Sequence, residues 1–390
     1  MAKFENIFQK SKINKADSAR IEQTLTNYMS QRYPWLEFIS GRVSYAVRQY
    51  KFHITVPDFV NTKLRNEMAK NLDIVLDTEN CEVTSKGSKL IVNIPRNDRN
   101  ILYFHEGISE FMKMKPGNIS CYVGEYADGN PVIIDFKEIP HLLIAGASNS
   151  GKTICLYNVL LSIAGKYSPD EVQFYILDDK RELTPFKDLP HTKDAAFSKE
   201  DINGLISEIK LALDHRKEEL ADYQSNIYVY EDITGKKLPH YFIIFDEADS
   251  VIKRDSTNPI VATHVRSIIQ EATAQGRSLG IHIIIASQKP SGKNIDTDIK
   301  SNITNRICLR VANKSDSRVI LDENGAEKLS GKGDALFKHE EMLNHAQGIY
   351  RLQCAFTTQA EHKAAIDYLK AKYGSKSAQP TTPMKKAKKN

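Results

Sequence analysis

Short apolar runs and amphipathic stretches alternate through the middle of the chain. Residues 154–164 and 201–223 place apolar side chains three and four positions apart, which is typical of a helix packed on a sheet. Between such stretches lie runs rich in β-branched and aromatic residues that predict buried strands, at 142–145, 172–177, 241–245 and 281–286. Strands alternating with helices predict a parallel, doubly wound α/β sheet with ligands at the carboxyl ends of its strands.

The first third of the chain has a different pattern. Residues 52–56 and 90–94 alternate apolar and polar positions, as half-buried strands do. They bracket a weakly amphipathic helix over residues 63–72. We therefore predict a small α+β accessory domain at residues 1–115.

The main domain is predicted at residues 116–373. It opens with two short strands, 121–124 and 131–134, which an Asp-Gly-Asn turn joins, and it closes with a short helix. The last segment, 374–390, contains five lysines and no acid. Such a run predicts a solvated, disordered tail, and non-specific attraction to phosphates is its alternative role.

Residues 146–153 join the first buried run to the first amphipathic helix and match G-x-x-x-x-G-K-[ST]. In such a loop, backbone N–H groups wrap phosphates at the positive end of a helix. Lys152 is predicted to hold the β- and γ-phosphates, and the Thr153 hydroxyl to bind Mg²⁺. A chance match is disfavoured because a strand precedes the loop and a helix follows it. The predicted nucleotide-binding residues are Gly146, Ala147, Ser148, Asn149, Ser150, Gly151, Lys152 and Thr153.

Polar side chains also end the later buried runs. Asp246 and Glu247 follow one run, where Asp246 is predicted to organise the Mg²⁺ shell and Glu247 to activate the attacking water. The alternative is that both acids merely cap the next helix. Gln288 ends the last run and is predicted to contact the γ-phosphate or its water, if that strand lies between the phosphate-loop strand and the acidic strand.

Arginines cluster around a further strand-like segment, 306–311. Arg306, Arg310 and Arg318 lie in or after it. An arginine supplied by a neighbouring subunit stabilises transition-state charge in many ATPases, although most surface arginines do nothing comparable.

Composition narrows the class of protein. The five cysteines are widely spaced and contain no C-x-x-C pair, which disfavours a disulfide framework or a zinc site and fits a reducing cytoplasm. We expect no transmembrane segment, because no apolar run approaches about 18 residues. The net charge of +5 equals that of the tail, and the remaining 49 basic residues are balanced by 49 acidic ones. Bulk charge is therefore no argument for a DNA-binding face.

Taken in order, these motifs resemble the motor domain of the FtsK/SpoIIIE family of DNA translocases. The resemblance covers about residues 117–340. It rests first on the phosphate loop, the strand before it, and the preceding hairpin with Gly124 and residues 129–132. The element after the second strand matches in Asp178, Lys180 and Glu182-Leu183. The later matching segments are 276–282, 287–291, 300–306 and 315–334. Two departures are that Asp246-Glu247 run directly into Ala248-Asp249, and that Lys289 stands where the family usually has arginine.

The resemblance implies a RecA-like P-loop ATPase core that uses ATP and Mg²⁺. It further implies a homo-hexameric ring with ATP between subunits and double-stranded DNA through the centre. Glu247 and Gln288 would then be catalytic, together with an arginine acting across the subunit boundary. Arg306 is the preferred candidate for that arginine and Arg318 the second.

From this we expect a cytoplasmic, DNA-stimulated ATPase that moves plasmid or integrative-element DNA in conjugative transfer. A membrane-channel protein or a relaxase would be its partner and would recruit it to the membrane. Two alternatives stay open, a polypeptide-export motor and an ATP-gated adaptor that recruits a relaxase or a replication protein. A single-stranded DNA substrate also stays open.

Overall fold

The computed structural model describes most residues of the chain. They are 3–8, 15–34, 44–45, 49–55, 61–78, 81–86, 89–95, 101–115, 117–126, 129–247, 259–288, 302–339 and 348–374. The lysines of the tail, Lys289 and Asp249 lie outside these residues.

The amino-terminal elements form a small antiparallel sheet with two helices. The elements are α1 (Lys15–Arg32), β1 (Ser44–Tyr45), β2 (Gln49–Thr55), α2 (Thr62–Leu76), β3 (Glu82–Lys86) and β4 (Lys89–Pro95). The strand order is β1-β2-β4-β3. Side chains of α1 and α2, among them Leu25 and Leu72, are buried against β3 and β4. This is the α+β arrangement that the sequence predicts.

The larger part of the chain contains ten strands and seven helices within the described ranges. The strands are β5 (Ser120–Tyr126), β6 (Pro131–Asp135), β7 (His141–Ala145), β8 (Val172–Asp178), β9 (Thr192–Ala196), β10 (His240–Asp246), β11 (Ile281–Ser287), β12 (Arg306–Leu309), β13 (Asp334–Lys338) and β14 (Ile349–Cys354). The helices are α3 (Phe104–Lys113), α4 (Lys152–Lys166), α5 (Lys199–Glu219), α6 (Ile227–Thr234), α7 (Pro259–Leu279), α8 (Lys314–Leu321) and α9 (Gln359–Tyr373).

All ten strands form one sheet, in the order β6-β5-β14-β13-β12-β7-β11-β10-β8-β9. The six strands from β12 to β9 are parallel, as predicted, and the other four extend the sheet in antiparallel fashion. Since β11 lies between β7 and β10, the strand order satisfies the condition set above for Gln288.

Helices cover both faces of the parallel strands. Because successive side chains of a strand point to opposite faces, Ile144 and Phe242 pack on one side, with α4 and α9, while Leu143 and Ile243 pack on the other, with α5 and α7. The doubly wound arrangement is therefore confirmed.

Part of the segment assigned to the small domain packs against the large sheet. Phe4 and Phe8, together with Phe104 and Ile108 of α3, are buried in the same core as α4. The boundaries at residues 115 and 373 stay predictions, but this packing associates α3 with the large sheet. No helix in the described part of the chain is long and apolar enough to cross a bilayer.

Three histidines are buried near the amino ends of neighbouring strands, His141 of β7, His282 of β11 and His240 of β10. The Pro140 carbonyl can only accept a hydrogen bond, so His282 Nδ1, which lies 3.1 Å away, donates to it. The other nitrogen of the neutral His282 ring, Nε2, then accepts a hydrogen bond from His240 Nδ1 at 2.9 Å. Burial lowers the pKa of His141 to about 4 and that of His240 to about 3. It also lowers the pKa of His282 well below its ordinary value. All three are therefore neutral near pH 7.

We predict that mild acid destabilises the large domain. A histidine with a lowered folded-state pKa stabilises the fold fully above its unfolded pKa of about 6.5 and loses that contribution as pH falls. The loss is about 1.4 kcal/mol per pH unit for each such histidine. Denaturant-unfolding midpoints at about pH 7.5, 6 and 5 measure it.

His282→Gln should reduce this pH slope by roughly 1.4 kcal/mol per unit, because one histidine no longer has to stay neutral. The matched control is His264→Gln, since His264 is exposed on α7. Equal slopes for His282→Gln and the wild-type protein would contradict the prediction.

Candidate nucleotide site

The phosphate loop is fastened to both strands that flank β7. Gly146 N donates to the Ser287 carbonyl of β11 at 3.1 Å, and Ala147 N donates to the Arg310 carbonyl after β12 at 2.8 Å. An added Cβ on Gly146 would lie 2.6 Å from Ser150 Oγ, so the loop requires glycine here. Gly151, with φ of +105°, precedes the first residue of α4.

A second glycine, Gly333 just before β13, also contacts the phosphate loop. Gly333 N donates to the Ser150 carbonyl at 2.8 Å, and the Gly333 carbonyl accepts from Cys354 N at 2.7 Å. Gly333 has φ of +88°, and a Cβ there would lie 2.7 Å from Gln353 Nε2. The sequence includes Gly333 only in a segment that resembles the family, and it did not predict this contact. Gly333 and the phosphate loop are far apart in the chain and meet only in the folded sheet.

Lys152 and Asp246 form a buried ion pair at the centre of the site. Lys152 Nζ lies 2.6 Å from Asp246 Oδ1, and the side chains are 3% and 1% exposed. The pair forms because parallel β7 and β10 both end at this edge of the sheet. Among the residues that the structure describes, Asp246 Oδ2 is buried and accepts no hydrogen bond.

Glu247 follows directly on β10 in a left-handed backbone conformation, with φ of +52°. Its N–H donates to Asp246 Oδ1 at 3.0 Å. Its Oε2 lies 3.3 Å from Lys180 Nζ, in an ion pair whose lysine is 42% exposed. A non-glycine residue with positive φ costs free energy and recurs at functional sites. The two predicted acids therefore lie side by side, but Asp246 pairs with Lys152 and Glu247 pairs with Lys180.

The end of β8 and the loop after it contribute two further side chains, Asp178 and Glu182. Asp178 is buried, and its carboxylate accepts from Lys180 N at 3.0 Å and from Leu183 N at 2.6 Å. Burial raises the pKa of Asp178 to about 6, and the charge of Asp246 adds to this effect. Glu182 Oε2 accepts from Thr153 Oγ1 at 2.7 Å. The hydroxyl predicted to bind Mg²⁺ is therefore already oriented by a carboxylate.

Gln288 lies beside the phosphate loop, at the end of β11. Its Oε1 is 3.4 Å from Ser148 Oγ, which donates to it. The strand order thus brings Gln288 to the same edge as Lys152 and Asp246. Its predicted contact with phosphate or water stays a prediction.

Arg306 is placed differently from the other predicted residues. It is 4% exposed, and its guanidinium donates to the Ile303 and Ile320 carbonyls at 2.7 and 2.9 Å and to Asp322 Oδ2 at 2.8 Å. This geometry ties β12 to α8 and gives Arg306 a structural role within its own chain. Arg318 is exposed on α8. Which arginine acts across a subunit boundary stays a prediction.

The donor set fits Mg²⁺. The described residues contain no cluster of three or more histidine, cysteine or acidic side chains able to hold a metal ion. A hydroxyl (Thr153) and a buried carboxylate oxygen without a hydrogen-bond donor (Asp246 Oδ2) are nevertheless present. Mg²⁺ needs only one or two protein oxygens, because substrate phosphates and water complete its shell.

The sequence model of the FtsK/SpoIIIE family matches residues 109–355. The chain belongs to the FtsK/SpoIIIE family. It is 31% identical over 319 residues to the DNA translocase FtsK of Helicobacter pylori, covering 78% of this chain and 36% of that protein. It is also 31% identical over 291 residues to the DNA translocase SftA of Bacillus subtilis, covering 72% of this chain and 29% of that protein. The chain thus spans about a third of the length of these family members.

Solved structures share the P-loop ATPase fold of this FtsK/SpoIIIE domain. The pCW3 conjugation coupling protein TcpA, in a monomer form with ATPγS, has a TM-score of 0.62 at 18% identity, covering 90% of this chain and 99% of that one. The cytoplasmic domain of the type VII secretion ATPase EccC of Thermomonospora curvata has a TM-score of 0.55 at 23% identity, covering 67% of this chain and 32% of that one. At these identities the likeness concerns the fold.

We predict that Arg306→Ala lowers the free energy of unfolding of this FtsK/SpoIIIE domain by roughly 2–3 kcal/mol, because the Ile303 and Ile320 carbonyls lose this donor and Asp322 keeps only Lys338. Arg318→Ala, at an exposed position, should change it by less than about 0.5 kcal/mol. Thermal and denaturant unfolding of both variants would measure the difference. If Arg306→Ala kept wild-type stability and lost ATP hydrolysis, Arg306 would act in catalysis and the structural assignment would be wrong.

Proposed function

We propose that this protein hydrolyses ATP to move double-stranded DNA. The observation that carries the proposal is the meeting of Lys152, Asp246 and Glu247 at the carboxyl edge of a P-loop sheet, with Gln288 on the strand between β7 and β10. Membership of a family whose relatives are named DNA translocases supports DNA as the substrate.

Nucleotide binding exchanges one partner of Lys152 for another. In the structure the ammonium group is neutralised by Asp246 at 2.6 Å. The phosphate groups of ATP carry more negative charge than the single carboxylate of Asp246, so they attract Lys152 more strongly. Once Lys152 binds phosphate, Asp246 is left as a buried carboxylate without a compensating charge. When bound, Mg²⁺ neutralises phosphate charge and compensates such a carboxylate, so we assign Thr153 and Asp246 to its shell.

Hydrolysis then requires a base close to the water that attacks the γ-phosphate. Glu247 is the group we assign to this role, because its carboxylate lies at the carboxyl edge and its backbone is bonded to Asp246. Lys180 Nζ lies 3.3 Å from Glu247 Oε2 and forms an ion pair with this carboxylate. We assign Gln288, which follows the neighbouring strand β11, to orient the same water.

We assign the motor to a homo-hexameric ring in which an arginine completes the site of the neighbouring subunit. Of the two candidates we favour Arg318, which is exposed, because Arg306 is buried and bonded within its own chain. An arginine supplied in this way stabilises the charge of the transferring phosphoryl group. For the biological role we favour conjugative transfer of plasmid or integrative-element DNA, with a membrane-channel protein or a relaxase as partner. The fold shared with the coupling protein TcpA over 90% of this chain supports that choice.

A polypeptide-export motor is the second candidate. The fold is shared with the type VII secretion ATPase EccC, over 67% of this chain at 23% identity. The longer match at 31% identity to DNA translocases favours DNA.

The test is the steady-state ATPase rate without nucleic acid, with linear duplex DNA and with single-stranded DNA, using Lys152→Ala as the background. We expect duplex DNA to stimulate hydrolysis severalfold. Stimulation by single strands alone would replace the duplex assignment with a single-strand pump. An active ATPase that responds to neither nucleic acid would contradict the DNA-motor proposal and favour the export motor.

The residue roles predict a split between two variants. Lys152→Ala should abolish nucleotide binding, whereas Glu247→Gln should bind ATP normally and hydrolyse it about 10²–10⁴-fold more slowly, because only the base is lost. Binding of a fluorescent ATP analogue and single-turnover hydrolysis separate the two effects. Wild-type hydrolysis by Glu247→Gln would refute the assignment of the base.

A further inference from the structure

Glu182 contacts the nucleotide site although none of the roles assigned above uses it. Its Oε2 lies 2.7 Å from Thr153 Oγ1. A carboxylate can only accept, so the threonine hydroxyl must donate its hydrogen in this bond. Both lone pairs of Thr153 Oγ1 then stay available to a cation, which is the orientation that a Mg²⁺ ligand requires.

Asp246 does not orient the hydroxyl in this structure. Its Oδ1 is engaged by Lys152 Nζ at 2.6 Å and by Glu247 N at 3.0 Å, and its Oδ2 receives no hydrogen bond within the described part of the chain. The orienting contact to Thr153 therefore comes from the loop after β8, a strand that is separated from β7 by β11 and β10.

The position of Glu182 is fixed on two sides. Thr153 and Tyr157 are four residues apart and therefore lie on the same face of α4. The Thr153 hydroxyl donates to the Glu182 side chain, and Tyr157 Oη donates to the Glu182 carbonyl at 2.7 Å. From the other side, the buried Asp178 carboxylate accepts from Leu183 N at 2.6 Å. Arg181, with φ of +61°, supplies the sharp turn between these contacts.

We infer that Glu182 is a positioning residue for Mg²⁺, orienting the Thr153 hydroxyl and adding negative charge next to the cation. The inference rests on the nucleotide site of the proposed function. Hydrogen-bonded partners of metal ligands typically contribute 10- to 100-fold to metal affinity, which sets the expected size of the effect.

The competing role is purely structural, a tie between α4 and the β8 loop. That role predicts equal losses of nucleotide binding with and without Mg²⁺, because a displaced loop would disturb the phosphate site in both conditions. Positioning of the cation predicts a loss that appears only when Mg²⁺ is present. Binding measured across a Mg²⁺ titration therefore separates the two.

The experiment titrates Mg²⁺ against binding of a fluorescent ATP analogue to the full chain, with EDTA as the metal-free reference. For Glu182→Ala we expect the Mg²⁺ concentration at half-saturation to rise roughly 10- to 100-fold, with binding in EDTA unchanged. Glu182→Gln keeps an acceptor and loses the charge, so it should fall between Glu182→Ala and the wild-type protein. Asp179→Asn removes a charge from the same loop and is the matched control, with no expected change.

A double-mutant cycle with Thr153→Val sharpens the test. If Glu182 acts through the Thr153 hydroxyl, adding Glu182→Ala to Thr153→Val should change the half-saturation much less than it does alone. Additive effects, equal losses in EDTA, or an unchanged half-saturation in both Glu182 variants would each overturn the inference. A wild-type protein that bound the analogue without any dependence on Mg²⁺ would instead refute the proposed nucleotide chemistry itself.

Discussion

The buried ion pair between Lys152 and Asp246 is the interaction on which the site depends. Two charges less than 4% exposed are tolerated only because each neutralises the other. Their meeting requires that the strands β7, β11 and β10 lie side by side and end together, which places residues 94 positions apart within 2.6 Å. Under the proposed function, phosphate and a divalent cation would replace the two partners together.

The segments around that ion pair, at the carboxyl edge of the sheet, are hydrogen-bonded or ion-paired to one another. The phosphate loop bonds to the Ser287 carbonyl at the end of β11 and to the Arg310 carbonyl after β12, and Gly333, just before β13, donates to the loop as well. The loop after β8 reaches both Thr153, through Glu182, and Glu247, through Lys180. A movement of that loop would therefore change the surroundings of Thr153 and of Glu247 at once.

Many parts of the fold and the site were predictable because they depend on local pattern. The apolar runs identify the parallel strands, and the spacing of Gly146, Gly151, Lys152 and Thr153 identifies the phosphate loop. Gln288 required one assumption about strand order, which the sheet satisfies. The sequence resemblance also included Lys180 and Glu182, but it assigned them no role, since a contact with residue 247 or 153 leaves no trace in their own spacing.

The sequence by itself determined the α/β class, the position of the phosphate loop and the chemistry of its residues, since apolar periodicity and loop composition are local properties. Only the tertiary structure decided which groups meet. Arg306 shows the difference: its residue type suits a role at a neighbouring site, yet the packing of β12 against α8 surrounds it with acceptors of its own chain. The packing of α3 with the large sheet was likewise decided by burial of aromatic side chains distant in sequence, Phe4 and Phe104 among them.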